Sequence, residues 1–429
     1  MNWVKKRKLP AIEAVHFNGQ PCIKLDDLWD TLHRSFNSTQ SWQVNTSLLD
    51  EIFTKEEWSW YPFSKEELKH AIEKYNNLSA PRLDKLSWRL IKMIIRNKEC
   101  FFKLIDIANA CIDLGHWPSY FKMSTIVIIS KPNKSSYDSP KSFCPIVLLN
   151  TLGKLFKKMI EERLQFHLIS NDFIHSCQLG RLKYWSTTDT GVALTHFIWS
   201  GWVKNLTTSM LVFDITQFFP SLNHYLLPLI LDKVGFDSKV SIFFRNYLVR
   251  KKIKYLWNNF SSPFCNVDIG IGQGLALSPI LSALYLSLIF HILEKCLKNL
   301  KIPISFLPFV NDGLFISQHK SIQVSNVNLF CSYNVISTLL TKFSLVVKYR
   351  KSEVFHFFRS HGNFNLPPLD LLPLGGSTLL PKNTWQYLGF YFDWKLSFYY
   401  YIDFYANKAI LTIKCMKMLG NLTRGLNLL

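Results

Sequence analysis

Asp214 closes the apolar run 208–213, and about a hundred residues later Asn311 and Asp312 lie between two apolar runs in SFLPFVNDGLFISQ (305–318). In isolation the second stretch is a hairpin turn. Phe306, Leu307, Phe309 and Val310 precede the polar pair, Leu314, Phe315 and Ile316 follow it, and Asn, Asp and Gly tolerate left-handed backbone. If the strand ending at Asp214 pairs beside that hairpin, Asp214, Asn311 and Asp312 come within a few ångströms at one sheet edge. Two or three hard oxygen ligands of this kind suit Mg2+, which prefers carboxylates and substrate phosphates to a full protein cage. A pair of such ions would stabilise the attacking and leaving oxygens of an in-line phosphoryl displacement.

The elements that must position these residues follow from periodicity. The run 208–213 is an apolar strand, and MSTIVIISKPNK (123–134) is a β-branched strand that delivers Lys131 and Pro132 into a loop. SKEELKHAIEKY (64–75) opens with Ser64 and, three residues on, Glu67, the capping box of an amphipathic helix. Residues 88–115 carry apolar positions at three- and four-residue spacing and end at Gly115, which predicts two helices, and 149–169 predicts another. A Gly-rich turn at 270–274 opens an apolar helix, a further helix is expected near 331–343, and strands are expected over 344–349, 352–358 and 386–393. A basic helix over 404–422 follows. This order describes an α+β sheet domain with a helical neighbour.

Composition bounds the partners. Of 429 residues, 48% are apolar, which describes a folded protein with a sizeable core. Fifty Lys and Arg against 30 Asp and Glu give a net charge of +20, which points to a polyanion such as nucleic acid, although charge alone also fits membrane-surface binding or solubility. The nine cysteines, among them Cys144, form no CxxC pair and no zinc-ligand spacing, so free thiols in a reducing, intracellular setting, cytoplasm or nucleus, are expected. MNWVKKRKLP has a basic cluster but no apolar stretch after it, and PILSALYLSLIF (279–290) is too short to span a bilayer, so no membrane partner is expected.

The order of segments resembles the reverse transcriptases of non-LTR (LINE-type) retrotransposons, and within them the fungal branch. The resemblance is carried by SAPRLDKLSW (79–88), ISKPNKSSYDSPKSFCPIVLLNTLGKLFKKMIEERL (129–164), FDITQFFPSLNH (213–224), GIGQGLALSPILSALYL (270–286), FVND (309–312), KSEVFHF (351–357) and YLGFYFDWKLSF (387–398). It implies a right-hand polymerase fold of fingers and palm with a truncated thumb. The implied divisions are an N-terminal extension (1–75), fingers (76–205), a palm with interleaved fingers helices and primer-grip-like strands (206–400), and the start of the thumb (401–429). It implies an RNA-directed DNA polymerase that copies an RNA template from a DNA primer with dNTPs and two Mg2+ ions, Mn2+ being an alternative. Asp214 matches the family's first metal-binding Asp, with the Ile215 carbonyl beside the same ions and Asn311 and Asp312 completing the set. Phe219 matches the aromatic that crowds the 2′ position of an incoming nucleotide. Gly272, Gln273 and Gly274 match the turn that touches nucleotide and template, and Lys131 and Lys351 match basic positions facing triphosphate or nucleic acid. Tyr387, Leu388 and Gly389 match the strand turn that supports the primer end.

Departures from the family pattern qualify the implied activity. Asn311 stands where the first hairpin Asp is usual, Cys144 where an Arg is common, Leu275 where a small residue follows the Gly-rich turn, and Trp185 where a basic residue is usual; the PRLD segment (81–84) lacks the loop Gly. The expectation is a polymerase impaired by Asn311, with two alternatives: a catalytically dead nucleic-acid-binding remnant of the same fold, or an active enzyme that uses Asp214 and Asp312 alone. The chain is also expected to lack an upstream endonuclease region and a full thumb.

Overall fold

The computed structural model of the chain describes residues 15–17, 20–22, 24–37, 46–51, 57–77, 84–131, 136–180, 185–257, 260–272, 275–359 and 366–419. Its contacts divide it into two units. The first comprises residues 1–176, 216–292 and 338–346, and the second 177–215, 293–337 and 347–429.

In the first unit the β-branched run expected at 123–134 forms the strand Met123–Ser130. It pairs antiparallel with Phe143–Leu148 on one side and parallel with Lys251–Trp257 on the other. Lys251–Trp257 in turn pairs antiparallel with Phe260–Ser261 and Cys265–Val267. Tyr255 is fully buried on this sheet, with Trp29, Leu32 and Phe36 packed in the same cluster as Ile126, Ile128 and Ile253. The helices begin where their caps dictate. Ser64 and Glu67 form a complete capping box at Lys65–Glu73, and residues 88–115 do split into Trp88–Ile94 and Lys98–Asp113. The helix Thr151–Ser170 is capped by Asn150, whose Oδ1 accepts from Gly153 N at 2.9 Å. Asp84, from the segment 79–88, adds a second anchor by accepting from Thr151 Oγ1 and from Leu86 N, both at 3.1 Å.

The helix that follows the Gly-rich turn runs Leu277–Asn299, longer than the apolar stretch alone suggests. By length and composition it could cross a membrane, yet Leu281, Tyr285, Leu286 and Ile289 are fully buried, which is the pattern of a core helix.

The second unit is built on a four-stranded antiparallel sheet in the order Glu353–Phe357, Thr207–Asp214, Asp312–His319, Ser305–Phe306. Thr207–Asp214 is central, and its residues 208–211 are all buried, so both of its faces are covered. Met210, Leu314, Ile316, Phe355 and Phe357 share a core with Leu194, Ile198 and Trp202 of the helix Thr187–Val203. Those three helical residues recur at four-residue spacing and so lie on one face.

Three elements differ from expectation. The helix expected near 331–343 begins earlier, at Ile322, and ends at Lys342. Residues 344–349 form no strand: Ser344 is left-handed, Val347 makes a single bridge to Ile215, and Tyr349–Lys351 coil into a 3-10 turn. Residues 386–393 form a hairpin, Thr384–Tyr387 against Phe390–Asp393, because Leu388 and Gly389 both take left-handed backbone. The basic helix expected over 404–422 is found as Tyr399–Leu419.

Gly313 shows how closely the central strands pack. A Cβ on it would lie 2.1 Å from Cζ of the buried Phe213 ring. Gly313→Ala is therefore expected to destabilise the chain by about 2 kcal/mol through overpacking. A urea midpoint unchanged from the parent chain would contradict this.

Candidate active site

The site rests on one register. Asp312 pairs directly with Asp214 across the antiparallel strands, and the pairing continues without a bulge to His319 and Thr207. The turn that feeds the second strand is closed by Phe309 N to Asp312 O at 2.8 Å and Asp312 N to Phe309 O at 3.1 Å, so its two central residues are Val310 and Asn311. This corrects the expected turn chemistry. The left-handed residue is Val310, at φ +58°, while Asn311, Asp312 and Gly313 keep negative φ. A β-branched side chain in that region is strained by about 1–3 kcal/mol and persists only where its surroundings hold it.

The surroundings are specific. Gln178, 1% exposed, accepts from Val310 N at 3.0 Å through Oε1, and a Cβ on Gly180 would meet Val310 N at 2.4 Å. Glycine at 180 thus permits the approach that fixes the turn. Neither Gln178 nor the strain at Val310 is visible in the sequence, because a single Gln in a loop carries no periodic or spacing signal.

Both oxygens of Asp214 are engaged. Asn311 Nδ2 donates to Oδ1 at 2.6 Å, and Lys351 Nζ pairs with Oδ2 at 2.6 Å. The Asp214 side chain is only 14% exposed. Its backbone is held as well: Lys348 N donates to Asp214 O at 2.7 Å and Ile215 N donates to Asn311 O at 3.1 Å. Asp312 is the unneutralised member of the group. Burial, and then the negative charge of Asp214, push its carboxyl up to about 6, with Lys351 pulling the other way. Tyr387 stacks on Trp385 at 4.7 Å, and its buried hydroxyl has no hydrogen-bond partner among the described residues. Burial and the nearby charge of Asp312 raise the phenol well above its usual range.

Of the residues singled out in the sequence, the second unit therefore gathers Asp214, Asn311, Asp312 and Lys351, with Tyr387 close to Asp312 and Ile215 bridged to Val347. Lys351 binds a carboxylate here. Leu388 and Gly389 form the hairpin turn beyond Tyr387. Lys131, Phe219 and Gly272 belong to the first unit. Lys131 closes the loop between its two strands, with Nζ on Lys141 O at 2.9 Å and N on Ser142 O at 2.9 Å. Phe219 is buried in the short helix Phe218–Ser221, and its carbonyl accepts from Ile271 N at 2.8 Å. Gly272 packs against Val147 and Leu275. Gln273 and Gly274 lie outside the described residues.

Two carboxylates placed side by side, one of them with a pKa raised by burial and by the charge of the other, form a donor set that fits a divalent cation. The fit is weakened by Asn311 and Lys351, whose donors occupy the Asp214 oxygens.

The pKa of Asp312 has a consequence for stability. Between about pH 4 and 6 the folded chain holds a proton that the unfolded chain releases, so stability falls as pH rises through that window. In metal-free buffer the loss is expected to reach about 3 kcal/mol, and Asp312→Asn should flatten it. Chemical denaturation of both proteins from pH 4 to 7 measures this, and parallel curves would rule it out.

Comparison with known proteins adds an independent line. Residues 129–392 match the family described as reverse transcriptase (RNA-dependent DNA polymerase), a span that holds Asp214, Asn311, Asp312, Lys351 and Tyr387. The chain is 26% identical over 264 residues to the probable RNA-directed DNA polymerase from transposon BS of Drosophila melanogaster, covering 59% of this chain and 27% of that protein. It is 25% identical over 224 residues to the probable RNA-directed DNA polymerase from transposon X-element and to the RNA-directed DNA polymerase from mobile element jockey, both from the same organism. Each of these matches covers 52% of this chain and 24% of the relative. The chain thus spans about a quarter of the length of the curated relatives it matches. A solved structure of apo telomerase from Candida tropicalis, truncated from its C-terminal domain, overlays with a TM-score of 0.44 at 14% identity, over 64% of this chain and 53% of that one. The non-LTR resemblance agrees with these transposon relatives, which are from an insect and do not bear on the fungal branch. With the family match extending over more than half of its length, the chain belongs to the reverse transcriptase (RNA-dependent DNA polymerase) family.

Proposed function

We propose that this chain is the RNA-directed DNA polymerase segment of a non-LTR retrotransposon, with nucleotidyl transfer curtailed by Asn311. Reverse transcriptases use divalent metal ions and bind a nucleic-acid template, and the excess of 20 positive charges suits such a template through sequence-independent phosphate contacts. The substrates in this reading are an RNA template, a DNA primer and dNTPs, and the setting is intracellular. Asp214 and Asp312 would hold two Mg2+ ions, with the Asn311 side-chain oxygen and the Ile215 carbonyl as weaker ligands. When bound, such ions neutralise charge on the attacking 3′ oxygen and on the departing pyrophosphate. Lys351 balances Asp214 while the ions are absent. Phe219, Gly272, Gln273, Gly274 and Lys131 are proposed to contact the nucleotide, and Tyr387, Leu388 and Gly389 the primer end.

The observation that supports curtailment is the saturation of Asp214. An Asp at 311 could not donate to Asp214 Oδ1. It would instead place a third carboxylate in the group, whose added charge bound cations would neutralise. In the chain as it stands, an amide and an ammonium occupy both oxygens of Asp214 without metal. The same observation favours a second reading, a nucleic-acid-binding remnant whose binding is sensitive to salt and indifferent to metal.

The test is dNTP incorporation on a primed RNA template with Mg2+ and with Mn2+. Asn311→Asp is expected to raise the rate about a thousandfold, equivalent to about 4 kcal/mol of transition-state stabilisation. No increase would sink the curtailment. Incorporation by the parent chain that Asp214→Ala abolishes would instead mean that the two aspartates suffice. Silence in all three proteins, with salt-sensitive RNA binding retained, would favour the remnant.

A further inference from the structure

The first unit contains a cavity of ≈ 90 Å³ lined by Lys122, Lys157 and Lys251, with no carboxylate among its described lining residues. Its walls are apolar and aromatic, with Trp117, Tyr247 and Tyr255 among them. Space of that size holds several waters, or a small anion in their place.

The three lysines are poorly compensated. Lys157 is 3% exposed, in the middle of the helix Thr151–Ser170, and its Nζ lies over the Tyr247 ring at 4.7 Å and over the Trp117 ring at 5.5 Å. Lys251, at the start of the strand Lys251–Trp257, stands over the same Tyr247 ring at 4.7 Å. Among the described residues neither ammonium has a carboxylate partner, and Lys122 Nζ donates only to the Asn246 carbonyl, at 2.6 Å. Contact with an aromatic face restores only part of the hydration that a buried ammonium loses. Burial, and then the charge of Lys251, hold Lys157 well below the usual lysine range. Burial, and then Lys122, bring Lys251 down to about 7. Burial, and then Arg250, lower Lys122, and burial, and then Lys251, keep His224 neutral. Structural burial alone would favour Met or Leu on such walls. Three lysines bordering one cavity, with no carboxylate among its described lining residues, are an arrangement suited to an anion.

We propose that this lysine-lined cavity binds a small phosphate-class anion, either orthophosphate or pyrophosphate. The anion would accept hydrogen bonds from Lys157 and Lys251, with Lys122 at the rim. Gly270, Ile271 and Gly272, from the turn that precedes the helix Leu277–Asn299, form part of the wall, so an occupant would brace that turn from behind. The proposal stands on the first unit alone and does not depend on the polymerase reading.

Calorimetric titration of the full chain with sodium pyrophosphate and, separately, with orthophosphate tests it, in metal-free buffer near pH 7 at fixed ionic strength. Saturable one-site binding is expected, weakened at least tenfold by Lys157→Met and by Lys251→Met but unchanged by Lys298→Met, which removes a surface lysine paired with Glu294. Tighter binding of pyrophosphate would identify the product of nucleotidyl transfer as the source, and tighter binding of orthophosphate the free anion. No saturable heat with either anion, or equal affinity in all variants, would overturn the proposal. If a Met variant does not fold, acetylation of the parent chain followed by mass spectrometry decides it: either anion must slow modification of Lys157 and Lys251 several-fold but leave Lys298 unaffected. Equal labelling rates would overturn it too.

Discussion

The pairing of Asp312 with Asp214 is the constraint on which the rest of the site depends. Side chains alternate along a strand, so a slip of one residue would turn Leu314 and Ile316 out of the core and carry Asp312 to the opposite face. The register is therefore enforced by the apolar cluster of the second unit, in which Met210, Leu314 and Ile316 are almost fully buried. Hydrophobic burial, which is non-directional, here sets two carboxylates opposite one another. The cost appears at Asp312, whose carboxyl is driven toward its neutral form.

Much of this frame was legible in the order of residues. Apolar runs at 208–213 and 314–316, each abutting an acidic residue, imply strands whose ends carry charge, and the pairing of two such strands brings the carboxylates together. The capping box at Ser64 and the split of 88–115 followed from local chemistry that tertiary contacts had no reason to override. Other features were not legible. Asn, Asp and Gly all accept left-handed backbone more readily than Val, so local propensity placed the turn one or two residues too late. The true geometry depends on Gln178 and Gly180, which lie more than a hundred residues away in the chain. The hairpin at Leu388 and Gly389 is hidden in the sequence because apolar and aromatic residues run on both sides of the turn, from Tyr387 to Phe392.

The charges of the two units serve different balances. In the second unit, Lys351 and Asn311 compensate a carboxylate, and the group is internally closed apart from Asp312. In the first, three lysines border a cavity that has no carboxylate among its described lining residues. A net charge of +20 conceals this difference, because a surface lysine and a buried one count alike in a sequence while only the buried one must find a partner or lose its proton.

The turn at Val310 is held by backbone and by Gln178, and the side chain of residue 311 takes no part in closing it. The backbone of the turn thus accommodates either an amide or a carboxylate there, two groups of nearly the same shape that differ in what they offer Asp214. In the genetic code, Asn and Asp differ by one purine transition at the first codon position. A copy of this gene is therefore one base away from the acidic hairpin, and that change would leave the backbone of the turn as it is.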